Sequence, residues 1–521
     1  MDIYTAAQMI AADHHAITCL GLPGAVLMET AGRCCARVFA AEFAARFPAR
    51  VLVLAGKGNN GGDGYVIARL LADRGWPVTT LVVADENTIS GDAALMLRVL
   101  RNCGGEVVFA GDEASLRRQF VEADARLIVD AVFGTGLQDR VRGLGQVAIE
   151  LINSSGVPVL AVDMPSGVDA STGRICGSAV RADVTVTFDH AKIGHVSDPG
   201  AGCVGRLEVV DIGIPRRHRP ESCTTSIELI DAEAARRRLP RRSADGHKGR
   251  FGHLLLVAGS PGKTGAAALA ANAAVRSGCG LVTAVVPASL NTVLEVKLTE
   301  AMTVPAPDAE GLLTAAAEAI VNARLEACQV LAVGPGLGQS RELRQLVRQL
   351  VVTGKKPVVV DADGLNLLAG QLDCLKAREG APLVLTPHPG EMSRLTGLSV
   401  AEIEENRFCV ARDFAVEYGV VLLLKGARTL VAAPDGRVSI NSSGNSGLAA
   451  GGSGDVLTGL LGGLLAQGCD GYLAAGLAAF LHGRSAELIA AQRGVAGMTA
   501  TELIDGLPAA RHELEKGILA C

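Results

Sequence analysis

Aromatic side chains are scarce in this 521-residue chain, which holds eleven Phe, four Tyr and one Trp. Single-stranded nucleic acid is bound on rings interleaved with a basic groove, so that class of function is disfavoured. An excess of one charge is also missing. The formal net charge of -5 gives no general reason to look for a polyanionic partner. Thirteen cysteines are present, but they are scattered and include no Cys-x-x-Cys pair, so the expectation is reduced, mostly buried thiols in a cytoplasmic protein. The opening Met1-Asp2-Ile3-Tyr4 lacks the basic stretch and apolar core of a secretion signal. The most apolar stretch, 456–467, is short, broken by glycine and soon followed by Asp470, and reads as a buried helix with no membrane partner. A P-loop is excluded by spacing: Gly259 stands only three residues before Gly262, which precedes Lys263-Thr264, and no protein-kinase motif set occurs.

Glycine and alanine are abundant, which with so few rings predicts close helix-on-sheet packing through small side chains. The length implies two to four domains, and the alternation of strand-like and helix-like segments makes them α/β. In the first half, the apolar run Arg50 to Leu54 enters Gly56-Lys57-Gly58-Asn59-Asn60-Gly61-Gly62-Asp63-Gly64, and a helix-like segment follows. Further runs occupy 78–83, 127–129 and 157–162. The second ends at Asp130 and opens onto Phe133-Gly134-Thr135-Gly136; the third ends at Asp163, ahead of Pro165-Ser166-Gly167. This alternation predicts a largely parallel sheet, helices on its faces, and functional loops beyond the carboxyl ends of the strands. Amides of a glycine-rich turn that runs into a helix can surround a phosphate. Asp63, Asp130 and Asp163 could compensate a cation or manage protons, while Asn60, Asp130 and Ser166 offer oxygen ligands suited to a hard cation. Lys192 lies nearby in sequence, within His190-Ala191-Lys192-Ile193-Gly194-His195.

Between 215 and 249 the pattern dissolves into proline, arginine and polar residues, including Arg236-Arg237-Arg238 and Arg241-Arg242. A domain 1–220, a solvated connector 221–244 and a domain 245–521 are expected. The second domain opens at 252–259, with later strands predicted at 281–286, 331–333, 358–360, 383–385 and 421–424. Gly451-Gly452-Ser453-Gly454-Asp455 reads as an anion cradle at a helix N-terminus. Its aspartate could accept a proton from an attacking hydroxyl while the backbone donors steady a transferred phosphate. Lys425-Gly426-Ala427-Arg428-Thr429, after a strand, adds a nucleotide signal. His388, in Thr386-Pro387-His388-Pro389-Gly390-Glu391, and Asp361, Asp363 and Asn366 lie at further strand ends, where they could orient substrate or hydrated magnesium.

Residues 1–215 resemble the NAD(P)H-hydrate epimerase family (the YjeF N-terminal domain) in NNGGDG at 59–64, DAVFGTG at 130–136, DMPSGVD at 163–169 and HAKIG at 190–194. The resemblance implies a Rossmann-like three-layer αβα domain that interconverts the R and S epimers of hydrated NADH and NADPH. It also implies K+ held by Asn60, Asp130 and Ser166, and a homo-oligomer. Substrate would meet Asn59, Asn60, Gly61, Gly62 and Asp63, and the loop Gly134, Thr135, Gly136, Leu137, Gln138, Asp139 and Arg140. Asp163 is the implied acid/base at the reacting carbon, and Lys192 would stabilise negative charge or hold Asp163. The family commonly has proline where Lys57 stands. Residues 245–515 resemble the ribokinase-like NAD(P)H-hydrate dehydratase family in HKGRFG at 247–252, GKTGAA at 262–267, GPGLG at 334–338, DADGLN at 361–366, TPHPGE at 386–391, KGART at 425–429 and GGSGD at 451–455. This implies a second three-layer αβα domain that restores NADH or NADPH from the S epimer with ADP as phosphoryl donor and Mg2+. Asp455 would be its base, Ala266, Gly336 and His388 its substrate contacts, and Lys425, Gly426, Ala427, Arg428, Thr429 and Gly454 its nucleotide contacts. Two other readings stay open: a small-molecule kinase fused to a ligand-binding domain, and a catalytically silent scaffold.

Overall fold

The computed structural model describes residues 1–378 and 380–517. It divides into two compact units, Asp2–Thr225 and Ser226 onward, the second also including Met1.

The first unit is built on seven parallel strands. Their spatial order is Glu106–Phe109, Val78–Val82, Val51–Ala55, Leu127–Ala131, Val159–Val162, Val184–Phe188 and Arg206–Val210. Both faces are covered, so the central strand Val51–Ala55 is apolar at every position. Val51, Val53 and Ala55 pack into one core with the helices Gly24–Glu42 and Asn59–Asp73, while Leu52 and Leu54 face a second core under the helix Gly143–Ser155. This is the expected Rossmann-like three-layer arrangement. The order reverses between Val51–Ala55 and Leu127–Ala131, which opens a crevice at the carboxyl ends of those two strands.

The second unit has a ten-stranded sheet. Nine of its strands run in the order Val438–Asn441, Leu430–Ala432, Val421–Leu424, Leu383–Leu385, Val358–Val360, Val330–Val333, His253–Val257, Leu281–Pro287 and Met302–Ala306. Pairing is parallel except where Leu430–Ala432 meets its two neighbours. The layer over one face includes the helices Thr264–Arg276, Ser453–Ala466, Gly471–Arg493 and Ala500–Lys516; on the sheet's other face Leu255 and Val257 are equally buried, giving the ribokinase-like three-layer build. The apolar stretch at 456–467 is largely the buried helix Ser453–Ala466, and no helix among the described residues is long and apolar enough to cross a membrane.

The expected connector 221–244 is corrected. Ile227–Ile230 is the tenth strand, paired in parallel with Val438–Asn441 at the sheet edge, and the helix Ala232–Arg238 buries Ala234 and Ala235. A four-residue strand between prolines and an arginine run is too short to show a period in the sequence. Nor is the arginine run wholly solvated: the Arg238 side chain is 5% exposed, paired with Glu228 and set over the Tyr472 ring. Residues 518–521 of the expected second domain lie outside the described residues.

Candidate active sites

In the first unit the glycine-rich segment is mostly helix. Only Gly56–Gly58 turns, and Asn59–Gly64 already form the first turns of Asn59–Asp73. The glycines permit this sharp entry, since a Cβ on Gly61 would collide with the Gly56 carbonyl. Asn60 is thereby buried with both side-chain polar atoms unpartnered, and a Cβ on Gly134 would stand 3.1 Å from its Oδ1. Asp130 is the penultimate residue of the neighbouring strand Leu127–Ala131. It accepts the Ser166 hydroxyl at 2.6 Å and the Ser166 amide at 2.8 Å, and burial raises its pKa to about 6. Lys57 and Asn59 are exposed, as are Gly136 and Gln138–Arg140, whereas Gly134, Thr135 and Leu137 are half-buried.

Asp163 follows the strand Val159–Val162 in the left-handed region, with φ 62°. Its Oδ1 accepts Lys192 Nζ at 2.9 Å and Thr187 Oγ1 at 2.9 Å; Lys192 Nζ also donates to Thr187 Oγ1 and to the Phe188 carbonyl. Burial would raise the Asp163 pKa, but the Lys192 ammonium, His195 and the Thr187 hydrogen bond together outweigh it and hold the carboxyl below its ordinary value. Asp63, with no such partner, is driven well above its own by burial and by Asp163 and Asp13. Asp13, Thr187 and His195 therefore belong to this site although sequence reasoning gave them no role. Asp13 and Thr187 stand in no glycine-rich motif, and His195 lies one residue beyond the matched HAKIG.

In the second unit, Gly452 at φ 87° turns the chain into the helix Ser453–Ala466, and Asp455 stands on its first turn. Asp455 lines a pocket of about 470 Å³ with Lys263, Ala266, Gly336, Asp363 and Glu391. Burial first, then the charge of Asp361, raises its pKa to about 7. Asp361 accepts Lys425 Nζ and Thr386 Oγ1, each at 2.8 Å, and Thr458 Oγ1 at 2.6 Å. Lys425 thus points its ammonium inward, 3.5 Å from Glu391, and a Cβ on Gly454 would lie 3.5 Å from that ammonium. Gly426 and Ala427 are exposed on the loop beyond, Thr429 Oγ1 bonds the Gly426 carbonyl, and Arg428 donates to the Ser442 carbonyl. Asp363 is occupied by Lys263 Nζ at 2.8 Å and the Gly338 amide at 2.9 Å. His388 caps the helix Pro389–Thr396 through Nδ1 and is half-exposed, while Asn366 bonds Arg394. Lys263 and Glu391 are pocket residues that carried no assigned role in the sequence, although both lie inside matched motifs. No three His, Cys, Asp or Glu side chains gather as a metal site among the described residues.

Residues 254–509 match the family described as NAD(P)H-hydrate dehydratase, and residues 24–194 match the YjeF-related protein N-terminus. The bifunctional NAD(P)H-hydrate repair enzyme Nnr of Moorella thermoacetica is 45% identical over 99% of this chain and 98% of its own length. The enzyme of the same name from Escherichia coli K12 is 39% identical over 88% of this chain and 84% of its own. A crystal structure of the ADP/ATP-dependent NAD(P)H-hydrate dehydratase from Bacillus subtilis, co-crystallized with ATP/Mg2+, is 34% identical and covers 56% of this chain and all of its own, with a TM-score of 0.49. With both halves matched and relatives spanning nearly its whole length, the chain belongs to the family of bifunctional NAD(P)H-hydrate repair enzymes.

Proposed function

We propose that the first unit interconverts the R and S epimers of NADHX and NADPHX, and that the second dehydrates the S epimer with ADP and Mg2+, giving NADH or NADPH, AMP and phosphate. The observation that carries the reading is the Asp455 pocket: a carboxylate that titrates near neutrality, on the first turn of a helix whose amide end and neighbouring Lys425 ammonium favour a phosphate.

In the second unit Asp455 takes the proton from the C6 hydroxyl as its oxygen attacks the β-phosphorus of ADP, with AMP leaving. The ring nitrogen's electron pair then expels phosphate from C6, and loss of a C5 proton restores the dihydropyridine. The Lys425 ammonium and the amides at 451–454 face the charge that accumulates on the transferring group. Because the Asp361 and Asp363 oxygens already accept side-chain and backbone donors, Mg2+ would arrive on the nucleotide phosphates and keep several of its waters.

In the first unit the same ring nitrogen drives hydroxide from C6, and water returns to either face. Asp163, kept ionised by Lys192, receives the proton of the incoming water and returns it to the departing oxygen. Asn60, Asp130 and Ser166 fit K+: all offer oxygen atoms, the Asn60 side chain lacks any partner, and the Asp130 carboxyl is raised by burial. Bound there, K+ would supply positive charge and hold Asp130 ionised. The reading includes a homo-oligomer, as the family resemblance implies, and a cytoplasmic location, as the scattered cysteines suggest.

Purified S epimer with Mg2+ and either ADP or ATP tests the dehydratase. Absorbance at 340 nm rises with ADP, faster than with ATP; no rise with either nucleotide refutes the assignment.

A further inference from the structure

Among the enclosed histidines the mechanism above leaves unused is one in the first unit. His195 is 3% exposed, yet both of its ring nitrogens are engaged. Nδ1 accepts the backbone N–H of Lys192 at 2.9 Å, so the ring proton is on Nε2, which donates to the backbone carbonyl of Asp163 at 2.7 Å. Burial, and after it the Lys192 charge, lowers its pKa to about 4, so the ring is neutral at working pH and this tautomer is fixed.

We propose that His195 is a positioning residue for epimerisation, tying the backbone of Asp163 to that of Lys192 so that carboxylate and ammonium meet in one geometry. The inference rests on the reading of this site as the epimerase. Three observations carry it. Asp163 is in the left-handed region, which residues bearing a Cβ rarely adopt and leave when released. The Lys192 side chain is fully buried, with three donors committed to Asp163, Thr187 and the Phe188 carbonyl, so a small backbone shift breaks a set of bonds together. The histidine is itself seated firmly: it lies on the short helix Ile193–Val196, where the Gly194 amide bonds the Ala170 carbonyl at 2.9 Å and a Cβ on Gly194 would stand 2.5 Å from the Asp169 carbonyl.

The test uses the full chain without nucleotide, with separated R epimer, following the appearance of S epimer by chromatography. His195→Ala lowers kcat for exchange roughly 10- to 100-fold, the scale of an ångström-level misplacement, with KM unchanged. The acid limb of its rate profile moves to higher pH, because a displaced Lys192 no longer offsets burial of Asp163, which Asp63 and Asp13 also face. His195→Gln, whose amide nitrogen can reach the Nε2 position, recovers most of kcat; His195→Asn, which can serve only the Lys192 end, does not. Fluorescence of Trp76, the chain's one tryptophan, buried in the core of the same unit, reports the integrity of the samples, and if His195→Ala fails to fold, the Gln and Asn variants decide alone. Exchange by the Ala variant at the wild-type rate, or rescue by Asn equal to that by Gln, overturns the proposal. A wild-type chain that exchanges no epimers removes the epimerase reading and this proposal with it.

Discussion

Asp163 and Asp455 occupy opposite electrostatic surroundings, and their replacement should have opposite effects on stability. Asn tolerates the left-handed backbone at 163, so Asp163→Asn isolates the charge. It should abolish epimer exchange, leave dehydration intact, and cost about 3–5 kcal/mol, because the Lys192 ammonium stays buried without its counter-charge. Asp455→Asn should abolish the nucleotide-dependent rise in NADH while leaving exchange intact, and should raise the melting temperature. The sign follows from linkage: the native carboxyl titrates near 7 and the unfolded one near 3.8, so ionisation costs stability increasingly as pH climbs between those values. The gain on substitution should therefore be larger at pH 8 than at pH 5 in thermal melts; equal gains would contradict the raised value. The dehydration rate should in turn fall as pH drops through about 7, as the base becomes protonated. At the proposed cation site, replacing K+ with choline should slow exchange in the wild type but not in Asn60→Ala, which would lack one of the proposed ligands.

At the scale of elements, close packing through small residues sets the second site. The helix carrying Asp455 lies on the alanine-rich helix Thr264–Arg276; a Cβ on Gly459 would collide with the Ala270 carbonyl, and one on Gly463 would stand 3.0 Å from the Ala274 carbonyl. Gly459→Ala should therefore destabilise the second unit by about 1–3 kcal/mol and depress dehydration, with exchange unaffected, as denaturant melts and paired assays would report. Such packing was legible in the composition, and so were the central strands, because a strand buried on both faces is a continuous apolar run. Ile227–Ile230 was not legible: an edge strand whose partner, Val438–Asn441, lies some two hundred residues away carries too little local pattern. The same distinction holds in the sites. Asp163, Lys192 and Asp455 sit in motifs that announce them. Thr187 and Asp13 reach Asp163 only through the fold, Thr187 along an adjacent strand and Asp13 from the first helix. The Lys425 side chain shows the limit from the other side, since its motif marks a nucleotide loop but not that its ammonium turns inward to Asp361.

For the whole molecule, two units with their own sheets and cores carry chemically distinct aspartates, and the proposed reactions share one substrate pool. Under that proposal epimerisation would make the R form accessible to a dehydratase that takes only the S form. The direct measurement is absorbance at 340 nm after mixed NADHX epimers are given to the purified chain with ADP, Mg2+ and K+, while spontaneous epimerisation is slow. Recovery of NADH should proceed through the whole epimeric pool, and with Asp163→Asn it should halt at the S fraction. A wild-type chain that stops at the S fraction, or produces no NADH at all, would contradict the assignment of both activities to this protein.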